Sequence, residues 1–88
     1  MSITNIPVNF TILHCTSSVK AAVAVIAVER GRDRDTVLEE YQLSANPFYQ
    51  AQKLREEGED ELFFKVAAGE LAVSKATEMA RYRKELAA

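Results

Sequence analysis

The chain contains no tryptophan, one cysteine, one histidine, two prolines and three glycines among 88 residues. A lone cysteine, Cys15, excludes an internal disulfide and fits a reducing compartment. With one histidine beside it, the nitrogen and sulfur donors are too few for a dedicated metal centre within one chain. Gly31, Gly58 and Gly69 lie too far apart to form a phosphate-cradling loop, and no nucleophile is set beside a base in a recognisable constellation. The expectation is a protein that is not an enzyme and holds no cofactor. The longest apolar run, Ala21 to Val28, is eight residues, against the roughly 20 needed to span a bilayer. The opening "MSITNIPVNF" lacks the basic segment and long apolar run of a signal peptide, so the expected location is the cytoplasm, with no membrane partner.

What the chain does have is the composition of one globular domain, with 48% apolar and 27% charged residues. Its formal charge of −2 predicts no strong general affinity for nucleic acid or for an anionic membrane. The charge is unevenly placed. Residues 1–55 carry six Lys/Arg against five Asp/Glu, whereas residues 56–88 carry five against eight. Any DNA-facing side therefore belongs to the first part.

The stretch "IPVNFTILHCT" alternates, with Val8, Phe10, Ile12 and His14 on one side, and this period of two predicts an N-terminal extended strand. "SSVKAAVAVIAVERG" offers Ser17 or Ser18 as an N-cap and Gly31 as a terminator. Its β-branched residues are compatible with a strand, but its length, alanine content and caps favour a helix. Being apolar almost all round, that helix is expected at the centre of the fold. "DRDTVLEEYQL" predicts a short helix capped by Asp33 or Asp35, with Val37, Leu38 and Tyr41 inward. "SANPFYQAQKLREEG" predicts another, from Ser44 to Gly58, in which Pro47 is tolerated in the first turn. "DELFFKVAAG" predicts a third, with Leu62, Phe63 and Val66 inward; Phe63 and Phe64 point about 100° apart and cannot share one core. A final helix from about Ser74 is expected to place Ala76, Met79, Ala80, Arg83 and Leu86 near one face and to fray over "RYRKELAA". The fold class is therefore mainly α: an N-terminal strand followed by about five helices.

Two short helices separated by "QLS" have the pattern of a helix-turn-helix, with Val37, Leu38, Tyr41, Leu43, Phe48 and Ala51 at the inward positions. From Ser44 to Ala80 the chain continues "SANPFYQAQKLREEGEDELFFKVAAGELAVSKATEMA". In "AQKLREEG", "DELFFKV" and "GELAVSKATEMA", taken in that order without a gap, it resembles the DNA-binding module of the ParB family of plasmid and chromosome partition proteins. Val19 to Val28 is similar to the helix that precedes the module, so the resemblance covers roughly residues 17–81. It implies a fold in which the helix pair around Gly69 braces the helix-turn-helix, with Leu71 and Val73 plugging the gap and Ser74 capping the last helix. It also implies double-stranded DNA as partner. The chain lacks the nucleotide-binding domain and arginine-rich motif of the larger family members, so nucleotide hydrolysis and spreading on DNA are not implied. Gln42 stands where a glycine is frequent, and Leu38 where a small residue is common.

The recognition helix would present Ala45, Asn46, Tyr49, Gln50 and Lys53, with Ser44 at its start. Asn46 and Gln50 can read adenine through paired donor and acceptor groups, and Tyr49 can reach a phosphate or a thymine methyl. Lys53, Arg55 and the arginines of "RGRDR" (Arg30, Arg32 and Arg34) can hold the DNA backbone. The acidic run Glu56, Glu57, Glu59, Asp60 and Glu61 must then face away. So cation-poor a helix calls for two copies, and the expected assembly is a homodimer. The N-terminal strand, which has no second strand in the chain to pair with, can pair with its own copy, add to another protein's edge or pack as an extended arm. Of these a symmetric dimer is the simplest. The expected function is that of a phage or plasmid regulator, or of a partition or replication accessory factor. The alternative is a protein-interaction factor of a mobile element, with a host protein partner, that kept the scaffold without its DNA site.

Overall fold

The computed structural model of the chain describes residues 15–87. The expected strand, and any pairing it makes in a dimer, lies outside the described residues. Within them the backbone is mainly helical: α1 (Ser17–Glu29), α2 (Arg34–Tyr41), α3 (Ala45–Glu56), α4 (Asp60–Ala67) and α5 (Val73–Ala87).

The run whose β-branched content left strand open is helical throughout, and α1 is the central element, in contact with each of the other four helices. Its small residues explain why. Ala21, Ala22, Ala24 and Val25 are fully or almost fully buried, and short side chains let the backbones of α3 and α4 approach closely. The volume between the helices is filled by Phe48 and Leu54 of α3, Leu62, Phe63 and Val66 of α4, and Val37 of α2. Ala76 and Ala80 close the core from α5. Cys15 is half-buried against this core. Among the described residues no polar or charged side chain is buried, so the fold is held by apolar packing and its ionic contacts all lie at the surface.

Four helix ends share one closing pattern. In each, the left-handed residue at the reversal donates to the carbonyl three back, and the next residue to the carbonyl five back, at 2.9–3.2 Å. This pair of bonds satisfies carbonyls that a helix end leaves unmet, and it requires a left-handed residue at the reversal. The glycines supply it at Gly31, Gly58 and Gly69, with φ between 76° and 101°. After α2 the left-handed residue is Gln42, at φ 53°. Its motif is completed by Leu43, which donates to the Leu38 carbonyl at 3.0 Å while its own side chain is buried.

The helix starts correct two expectations and bear out a third. Thr16, not Ser17 or Ser18, caps α1: its backbone is extended, and its hydroxyl accepts from the Val19 N–H at 3.3 Å. Ser74 does not cap α5, which begins one residue earlier at Val73; the Ala76 N–H bonds the Ala72 carbonyl at 2.9 Å. Ala72 has no side-chain acceptor to offer. The Val73 N–H is met instead by Ser18, whose Oγ accepts it at 2.8 Å from across the fold. Asp33 caps α2 as expected, accepting from both the N–H and the hydroxyl of Thr36 at 2.9 Å. Those bonds hold the Asp33 carboxyl below its ordinary pKa.

The last helix also differs from its expected face. Val73, Ala76 and Ala80 point inward, but Met79, Tyr82 and Leu86 are exposed, and α5 stays helical through "RYRKELA". Ionic contacts hold it there. Arg83 reaches Glu59 at 3.1 Å and Glu61 at 3.3 Å, and Lys84 reaches Glu57 at 2.9 Å. The acidic run is thus partly neutralised from α5, while Asp60 and Glu61 sit favourably in the first turn of α4.

Candidate nucleic-acid interface

The turn Gln42-Leu43-Ser44 joins α2 to α3. Val37, Tyr41, Leu43, Phe48 and Ala51 are buried and Leu38 is half-buried, so all six inward positions of the helix-turn-helix pattern face the core. Burying them leaves the opposite face of α3 outward. Ala45, Asn46, Tyr49 and Lys53 are exposed there and Gln50 is half-buried. Ser44 stands at the N-cap with an exposed side chain that makes no capping bond.

The outer row is not uniformly available. The Tyr49 hydroxyl accepts from Arg34 at 2.8 Å, and the guanidinium lies 5.8 Å from the Tyr49 ring centre. Arg34 also donates to Asp35 at 3.2 Å. Tyr49 and Arg34, proposed from sequence for separate contacts, thus form one unit in which the start of α2 touches the outer face of α3. Arg32 turns to Glu40 of α2 at 2.8 Å. Arg30 is exposed in the α1–α2 turn, with no ion pair to any described residue. Each engaged guanidinium has its pKa raised, by hydrogen bonding to Glu40 for Arg32 and to Asp35 for Arg34.

Arg55, expected to face the DNA backbone, is engaged within the chain. It makes two bonds to Glu29 at 2.8 and 2.9 Å, reaches Asp60 at 3.3 Å, and lies over the rings of Phe63 at 5.0 Å and Phe64 at 5.6 Å. It ties the ends of α1 and α3 to α4, and the Glu29 carboxyl is held below its ordinary pKa first by that hydrogen bond. Phe63 is fully buried while Phe64 is half-exposed under the guanidinium, so the two rings divide as the helical geometry requires.

The concave features are shallow. One, of about 380 Å³, runs along α5 around Met79 and Tyr82. Another, of about 60 Å³, separates α3 from α5 and includes Lys53. Among the described residues no cluster of His, Cys, Asp and Glu could hold a metal ion, and no helix is long and apolar enough to cross a membrane. Comparison of the chain with protein-family models, with curated proteins and with solved structures finds no match.

Two contributors to this surface escaped the sequence reading. The Arg34–Tyr49 bond joins residues fifteen apart, and no local pattern signals it. Arg81 and Lys84 of α5 line the 60 Å³ groove beside Lys53; their three-residue spacing places them on one flank of a helix, but which flank meets α3 is settled by packing.

Proposed function

We propose that the chain is a small sequence-specific reader of double-stranded DNA, acting as a homodimer in transcriptional regulation or as a partition or replication accessory factor. The observation that supports this most is the division of α3: Phe48, Ala51 and Leu54 are buried, while Asn46, Tyr49, Gln50 and Lys53 form an outward row. A helix so divided, braced from behind by α1 and α4, can lie in a major groove with its outer side chains at the base edges. Asn46 and Gln50 carry the paired donor and acceptor that match adenine, and Lys53 supplies a phosphate contact. Selection from a randomised duplex pool, with the winners titrated at low and near-physiological salt, tests the reading. An enriched site with dyad symmetry is expected. An affinity unchanged by Gln50→Ala together with Lys53→Ala would remove the roles assigned to the outer row.

A second reading, a protein-interaction factor that keeps the scaffold without its DNA site, draws on different observations. Arg32, Arg34 and Arg55 are all engaged within the chain, which lowers the cationic supply for DNA. Tyr82 and Leu86 are 63% and 71% exposed on α5. A pull-down from host lysate that recovers no protein in stoichiometric amounts counts against it.

A further inference from the structure

The groove between α3 and α5 has an apolar floor and a cationic rim. Leu54 and Ala80 form the floor and are 1% and 2% exposed. Lys53 and Glu57 stand on the α3 side, and Arg81 and Lys84 on the α5 side. Lys84 is bound to Glu57 at 2.9 Å, and that hydrogen bond is the main cause of the lowered Glu57 pKa. Against three cations the rim has the one carboxylate of Glu57, which also feels the charge of Lys53. The rim stays net positive, and neither Lys53 nor Arg81 has an ion pair to any described residue. Two like charges beside one narrow groove repel each other, and an anion between them relieves that repulsion.

The position of the groove suggests which anion. Lys53 follows Tyr49 by one turn and Asn46 by two, so the outer row of α3 leads directly into it. A volume of about 60 Å³ is far below the several hundred Å³ of pockets that enclose small organic ligands, which favours a group presented from outside. We propose that the groove takes one backbone phosphate of a DNA duplex, held between Lys53 of α3 and Arg81 of α5. The inference rests on the DNA-binding reading and extends it, by carrying the footprint beyond the helix-turn-helix to the last helix. Arg81 suits the part, because a planar guanidinium can donate two parallel hydrogen bonds to one phosphate. It also offsets the shortage of cations on α3 from a neighbouring element.

The test is the salt dependence of binding to a duplex of random sequence, for the full chain and for Arg81→Gln, Lys53→Gln and Arg81→Lys. Each lost phosphate contact is expected to reduce the slope of log K against log salt by about 0.9. Arg81→Gln should weaken binding to all sequences alike and leave base preference intact, while Arg81→Lys restores most of the slope. A slope unchanged in Arg81→Gln but reduced in Lys53→Gln overturns the proposal without touching the DNA-binding reading. If the unaltered chain binds no duplex even at low salt, that reading fails instead. Titration with inorganic pyrophosphate, followed by amide chemical shifts, then judges the groove itself. Saturable shifts at residues 53 and 81 that vanish in Arg81→Gln retain it as an oxyanion site, and their absence removes it.

Discussion

Replacing Gln42 with glycine should make the protein more stable, although it deletes a side chain. Gln42 is the non-glycine residue with positive φ among those described, at 53°, and a left-handed conformation costs an L-residue about 1–2 kcal/mol. Glycine removes that strain but gives the unfolded chain more freedom, an opposing effect of about 0.4–1 kcal/mol. The net gain for Gln42→Gly is therefore about 1 kcal/mol, which for a domain of this size raises the melting temperature by roughly 4–8 °C. The side chain is exposed, so little contact energy is lost. Gln42→Ala keeps the strained backbone while losing the amide, and should change the melting temperature little. Gly69→Ala is the converse. An added Cβ would lie 3.6 Å from Val19 Cγ2, an ordinary contact, so its destabilisation of about 1 kcal/mol is purely conformational. Thermal melts followed by circular dichroism on the three variants decide the matter. A melting temperature that falls in Gln42→Gly, or rises as much in Gln42→Ala, would refute the strain account.

Ser18→Ala should lower stability by about 1–2 kcal/mol, because the half-buried Val73 N–H loses its acceptor; a urea midpoint unchanged within error would show that another group takes over. Acid should destabilise the fold. The folded-state pKa values of Glu29, Asp33 and Glu57 are all depressed, so their contribution is present above the ordinary carboxylate pKa and is lost as the pH falls through the folded values. Urea midpoints measured from neutral pH downward should drop, and less steeply in Arg55→Met, which removes the partner of Glu29. Tyr82→Glu combined with Leu86→Glu should leave stability within about 0.5 kcal/mol, since both side chains are exposed. If α5 carries a contact between copies, the same variant sediments as a smaller species.

The elements were legible because their signals are local. Asp33, Gly31, Gly58 and Gly69 mark helix ends by their own chemistry, and the inward set from Val37 to Ala51 follows from helical spacing. Two helix starts were misread where the capping group was not the expected neighbour: Thr16 lies one residue before the serines, and the donor at Val73 is met by Ser18, distant in sequence. The face of α5 was misjudged because Met79 and Leu86 share an apolar stripe with residues that do pack, and spacing alone does not tell where the core ends. For the candidate site, the outward row of α3 was readable from periodicity. The engagement of the arginines was not, since Arg34 with Tyr49 and Arg55 with Glu29 meet only once the helices have packed.

The two attachments of α5 have different physical natures. Up to Ala80 the helix is rooted by dry apolar contact; beyond it, Arg83 and Lys84 moor it to Glu57, Glu59 and Glu61 through charges that remain in water. Screening weakens such moorings while leaving apolar contact intact. The last turns of α5 are therefore expected to open separately, with amide exchange that accelerates with added salt while that of α1 does not. Since Arg81 sits where the root gives way to the moored tip, ionic strength acts on the proposed phosphate groove twice: once by competing for its ligand, and once by loosening the helix that builds its wall.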